Sequence, residues 1–119
     1  MRQYILNMIL ISKVQIIEKE IEVKEGTYYF EDDNLVVYKF SFTEDEHTYM
    51  DYKFEEVKNF SNIYGITFKE DWSDGISNLP YKVEQYLLKK EGKEITEQAF
   101  NSEKEEVISK LLKQQNGGV

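Results

Sequence analysis

Three short stretches of this 119-residue chain carry side chains of the kinds that do chemistry. The only histidine, His47, follows Asp45 and Glu46, so one reading of it is a histidine–carboxylate metal site. "EDWSDG", residues 70–75, has the carboxylates and glycine of a calcium loop. "DYK", residues 51–53, sets an aspartate two positions before a lysine, with further acids upstream.

None of the three closes into a site on sequence grounds. A transition-metal centre needs several ligands converging in a sheltered cavity, and His47 falls in a predicted hairpin tip. An EF-hand with Gly75 at its sixth place has Trp72 at the third, without an oxygen to offer, and Tyr81 instead of Glu at the twelfth. Asp51 and Lys53 resemble the end of a PD-(D/E)xK nuclease motif, but Asp33, the upstream candidate, lies eight residues along the strand. That is roughly 25 Å away, too far to share one Mg²⁺. A single histidine without a G-x-S-x-G elbow argues against a hydrolytic triad. The six scattered glycines form no phosphate-binding loop. With no cysteine, disulfides, thiolate metal centres and Cys nucleophiles are excluded. No catalytic residue, metal ligand or cofactor is assigned.

The elements that would position any site are easier to read. Val36, Tyr38, Phe40 and Phe42 alternate with Val37, Lys39 and Ser41, and Met50, Tyr52 and Phe54 with Asp51, Lys53 and Glu55, the period of strands with one buried face. Pairing Phe42 with Met50 and Tyr38 with Phe54 leaves Asp45, Glu46 and His47 as a loop. Pairing Phe30 with Val36 leaves Asp32, Asp33 and Asn34, with Asn34 in the left-handed position. Pairing Val23 with Tyr28 and Ile21 with Phe30 adds a strand before Glu25 and Gly26. "NIYGITFKED" supplies a further strand with Tyr64, Ile66 and Phe68 inward, and residues 55–62 fit a loop or a short helix.

The period then becomes helical. Leu79, Val83, Tyr86 and Leu87 share one face, Pro80 sits in the first turn and Gly92 follows as a stop. Ser102 and Glu105 form a capping box for a second helix striped by Val107, Ile108, Leu111 and Leu112. "KEITEQAFN" fits either a separate turn or an early extension of that helix. The expectation is one α+β domain over residues 1–119. In it, an antiparallel meander of four to five strands (about residues 17–69) carries two helices (about 79–91 and 102–115) over its apolar face. The segment from Tyr4 to Ile17 fits a strand or a helix. Its apolar run, Tyr4 to Ile11, lacks a cleavage site and is too short for a membrane span, which makes the cytoplasm the expected setting.

Charge narrows the function classes. The formal net charge is −8, which repels nucleic acid and anionic membranes and favours a basic protein partner. The acids cluster as Glu31, Asp32, Asp33; Glu44, Asp45, Glu46; and Glu70, Asp71, Asp74, a pattern that could imitate phosphates towards a basic groove. Tyr29, Val37 and Leu35 form an apolar strip on the second sheet face, with Tyr49 nearby and Trp72 as either a core plug or an exposed anchor. Either the Tyr4–Ile11 segment or another chain would cover that strip. These residues point to a small acidic, non-enzymatic protein that works through protein–protein contact, in the manner of an inhibitor, immunity protein or phage accessory protein. Two alternatives stand beside it: a self-associating assembly protein, and a hydrolase that holds a metal on dispersed carboxylates.

Overall fold

A computed structural model of the chain describes residues 23–47, 49–75 and 78–117, the last three as backbone only. Four long strands, β1 (Gly26–Glu31), β2 (Val37–Glu44), β3 (Met50–Asn59) and β4 (Tyr64–Ser73), are followed by helix α1 (Tyr81–Lys89). A short strand β5 (Lys93–Glu94) and helix α2 (Glu97–Gly117) complete the chain. The sheet is antiparallel in the order β4-β3-β2-β1-β5, an α+β architecture. The predicted strand over residues 17–22 and the segment from Tyr4 to Ile17 lie outside the described residues.

The alternating pattern buries the face it predicts. Phe30, Val36, Tyr38, Phe40, Phe42, Met50 and Tyr52 form one core with Leu79 and Val83 of the α1 region. Tyr86, Phe30, Tyr38 and Phe54 stack in sequence across α1 and three strands, with neighbouring centroids 4.3, 5.0 and 5.6 Å apart. Such offset stacks add to burial, about 1 kcal/mol per pair.

Both hairpins close one residue later than the apolar pattern implies, and each strand pairing moves by two. Phe30 pairs with Tyr38, and Phe42 with Tyr52. An aspartate sets each closure. Asp32 Oδ1 accepts the Asn34 and Val36 N–H groups, both at 3.0 Å. Asp45 Oδ1 accepts those of His47 at 2.8 Å and Tyr49 at 3.0 Å. A carboxylate that takes two main-chain donors fixes its own position at the mouth of the turn. Asp32 and Asp45 therefore stand before their loops. A two-residue shift keeps every side chain on its face, which is why alternation alone does not detect it. Leu35, not Asn34, takes the left-handed conformation, with φ 64°.

The other differences concern edges and lengths. Residues 55–59 belong to β3, and Phe60 N–H closes the next hairpin on the Ile63 carbonyl at 2.9 Å. Gly26 begins β1 instead of lying in a turn, and Phe30 pairs with Glu94 of β5, the place predicted for Ile21. Lys90, left-handed at φ 55°, ends α1. Gly92 is required because a Cβ there would lie 2.8 Å from the Glu31 carbonyl oxygen. Thr96 begins α2, its hydroxyl accepting the Ala99 N–H at 3.0 Å, so the helix starts ahead of the Ser102 box.

The largest correction is the placement of the helices. β5 carries the chain past the outer edge of β1, so α1 and α2 lie on opposite faces of the sheet. The second face carries its own apolar centre, where Val37 pairs with Val57. Phe100 and Val107 of α2 bury against that centre, with Tyr29, Tyr64, Ile66 and Ile95 around it. Polar clasps guide the helix. Lys104 pairs with Glu55 at 2.7 Å, while Asn59 donates to Glu103 at 2.7 Å and accepts from Lys110 at 2.6 Å.

Candidate functional site

Alternation along the strands defines the one broad surface that no helix of the described residues covers. Gly26, Phe42, Tyr52 and Asp71 form a row across β1 to β4. Side chains flanking this row point to the second face, on the α2 side. They include Thr27, Ser41, Asp51, Lys53, Glu70 and Trp72, which wall an open hollow of about 840 Å³. A smaller hollow of about 220 Å³, between Lys39, Lys53, Glu55 and Phe68, continues it towards α2. The surface is aromatic as well as polar: Trp72 is 61% exposed, Phe68 59% and Tyr49 42%. Tyr49 packs against Trp72 with centroids 5.3 Å apart and planes at 71°.

The sequence-derived residues divide between this surface and the scaffold. Tyr29 and Val37 are not an exposed strip: Val37 is buried, and the Tyr29 ring meets Phe100 at 5.6 Å. The C-terminal helix therefore covers them, a third possibility beside the two expected. Leu35 stands exposed at a hairpin tip, away from Val57, which pairs with Val37. Trp72 is exposed, not a core plug, because β4 continues through it to Ser73 and its side chain falls on the uncovered face. Phe68 is likewise outside, two residues beyond the reach of α2 along the same face.

The acids have unequal freedom. Asp32 is committed to the fold: besides its two turn donors it accepts the Tyr38 hydroxyl at 2.9 Å and pairs with Lys82 at 3.3 Å. Burial pushes its pKa up, but the hydrogen bonds from Val36, Tyr38, Asn34 and Lys82 outweigh this and hold it below the ordinary aspartate value. Burial, and then the Asp32 carboxylate, push the Tyr38 phenol well above its usual range. Asp33 is exposed in the same loop, and Glu31 pairs with Val37 at the strand end. Asp74 accepts a hydrogen bond from the Asn78 amide. Glu44, Asp45 and Glu46 share one end of the sheet with Glu70 and Asp71, because Met50 pairs with both Glu44 and Ser73. The Glu31–Asp33 group lies at the opposite end of β2.

Among the described residues no group of three or more His, Cys, Asp or Glu side chains is placed to hold an ion. Asp51 pairs across to Trp72 and Asp71 to Tyr52, so the two aspartates project from opposite faces. Among the described residues no helix is long and apolar enough to cross a membrane.

Sequence reasoning passed over Phe100 as a core residue. Its spacing of seven to Val107 was the available signal for a second stripe on the last helix. Comparison with protein-family models, with curated proteins and with solved structures returns no match, so the reading of this surface rests on its own geometry and chemistry.

Proposed function

We propose that this chain is a small acidic binding protein of the inhibitor or accessory type. It engages a partner protein of basic surface through the uncovered half of its second sheet face. The observation that carries this reading is the exposure of Trp72, Phe68 and Tyr49 together beside a hollow on an ordered sheet. Large aromatics are usually buried, and an exposed group of them on a rigid platform is typical of interface centres. Asp51 and Glu70 lie on its face, and Glu44, Glu46 and Asp71 at the same end of the sheet, which favours a cationic partner and a fast, salt-sensitive encounter. The expected setting is the cytoplasm, where the partner would be met.

Affinity capture from lysate of the source cells tests this. A specific partner should be retained at low salt, released as salt rises, and lost by a Phe68→Thr/Trp72→Thr variant that keeps the native circular dichroism. Failure to capture any partner, or equal capture by the variant, overturns the proposal. A second reading, self-assembly, draws on β4, whose outer edge has no strand partner among the described residues. Light scattering that shows a stable homo-oligomer would favour it.

A further inference from the structure

The chemistry that the uncovered face would accept is set by its two outermost rings. Tyr49 and Trp72 meet edge to face, their planes at 71°, so an open corner lies between them, and the His47 ring lies 6.5 Å from that of Tyr49. Asp51 stands opposite Trp72 on the neighbouring strand, on the same face, and Glu70 lies two residues before Trp72 along β4. Among the described residues neither carboxylate makes an ion pair or a side-chain hydrogen bond. Elsewhere on the sheet the chain's own lysines already sit over rings: Lys39 over Tyr29, Lys69 over Tyr52 and Lys110 over Tyr64. No described lysine sits so over Tyr49 or Trp72.

Ring faces are negative, and a carboxylate beside them adds a full charge and hydrogen-bond acceptors. Together they form the environment that takes a guanidinium or ammonium group. We infer that the corner between Tyr49 and Trp72 receives one arginine or lysine side chain from a basic segment of a partner protein, its charge set beside Asp51. This rests on the binding reading above and adds the chemistry of the contact. Charge complementarity selects the occupant: a second copy would bring the carboxylates of this end against each other. The chain's own first 17 residues hold Arg2 and Lys13 and no acid, so they are the occupant that the test has to separate.

Trp72 is the only tryptophan, so its emission reports on the corner directly. Tetra-arginine is titrated into the full chain, with tetra-citrulline as an uncharged control of the same shape. The expected result is a saturable change in emission with tetra-arginine alone, suppressed by about 0.5 M salt. Asp51→Asn and Tyr49→Leu, each checked for native circular dichroism, should weaken it about fivefold. An equal response to citrulline, no response to arginine, or unchanged affinity in both variants overturns the inference. So does a free chain whose tryptophan is already shielded from acrylamide. Shielding independent of concentration would place the chain's own leading segment on the face, and shielding that grows with concentration a second copy. A captured partner whose binding ignores Asp51 and Tyr49 would sink this inference and leave the binding reading standing. Absence of any partner sinks that reading instead.

Discussion

Replacing Asp32 with alanine removes four interactions from one side chain, and their separate costs follow from where each partner sits. The Tyr38 hydroxyl donates to Asp32 Oδ2 at 2.9 Å from a side chain only 2% exposed, so the alanine leaves it buried without its acceptor. Stranding such a group costs about 2 kcal/mol. The part-buried Val36 N–H loses its carboxylate at 3.0 Å, worth about 1 kcal/mol. The Lys82 pair and the exposed Asn34 N–H contribute little, because water replaces what they lose. The expected loss is therefore about 3 kcal/mol, a fall of about 2 M in the urea midpoint for a domain of this size. Tyr38→Phe alone should cost about 1 kcal/mol, and the double variant about 2 kcal/mol less than the sum, since no hydroxyl is then stranded. The pH dependence carries the same signature. The folded pKa of Asp32 is lowered, so the stability it supplies is complete above the unfolded value of about 3.9 and drains away as pH falls through the folded one. The gap between the native chain and Asp32→Ala should thus narrow below about pH 4. Urea unfolding followed by circular dichroism measures all of this. A loss below 0.5 kcal/mol for Asp32→Ala, or strict additivity with Tyr38→Phe, would refute the account of Asp32 as the pin of the first hairpin.

Phe100→Ala should cost about 4 kcal/mol, because the ring is 1% exposed at the centre of the contact between α2 and the sheet. Hydrogen exchange would show α2 losing protection first, and uniform loss across the protein would contradict its role as a local clasp. Leu35→Gly should raise stability by about 1 kcal/mol, since φ 64° strains a side chain that is 66% exposed; a lower melting temperature would sink the idea. The Tyr38 pKa is raised, so its contribution is complete below the unfolded value of about 10 and is lost as pH rises beyond it. Tyrosinate absorbance should therefore show one phenol ionising only as the chain unfolds in alkali. Phe68→Thr and Trp72→Thr should hold stability within about 0.5 kcal/mol, as surface substitutions do, and a loss above about 1.5 kcal/mol would make them core residues instead.

Which residues face which side was legible from the alternation in β1 to β3, because a strand has only two faces and aromatic residues mark one of them. In β4 it was not, since Tyr64 and Ile66 pack under α2 and Phe68 stands exposed on that same face. Nor was the closure of the hairpins. Apolar matching permits slips of two residues at no cost in burial, and the decision passed to the carboxylates of Asp32 and Asp45, whose bonds to the main chain leave no trace in hydropathy. The second core was hidden for a different reason. Val37 reads as part of an outer strip, Val57 as part of a loop or short helix and Ile66 as a first-core position, until Phe100 and Val107 supply a matching stripe. Predicting both helices on one face followed from missing that stripe. Trp72 illustrates the limit at the candidate site: its residue type favours burial, and only the length of β4 places it outside.

The course of α2 explains why half of the second face stays open. The helix seats Phe100 and Val107 over the row Glu31–Val37–Val57–Ile66. Its polar contacts, Glu103 and Lys110 to Asn59 and Gln114 to Tyr64, then draw it towards the turn between β3 and β4. The row Gly26–Phe42–Tyr52–Asp71 lies five residues further along the strands, about 17 Å away at strand rise. Turning the helix to reach it would break the clasps on Asn59, where a part-buried lysine contact would be lost along with the packing of Val107. The sheet is thus longer than the helix that covers it. On the excess length the sequence places Phe68 and Trp72, each forgoing about 2 kcal/mol of burial, where threonine or lysine would sit in water at no such cost. On the binding reading proposed above, that exposed pair at the end of a fixed platform is where the partner docks, and the acids at the same end would give the contact its sign.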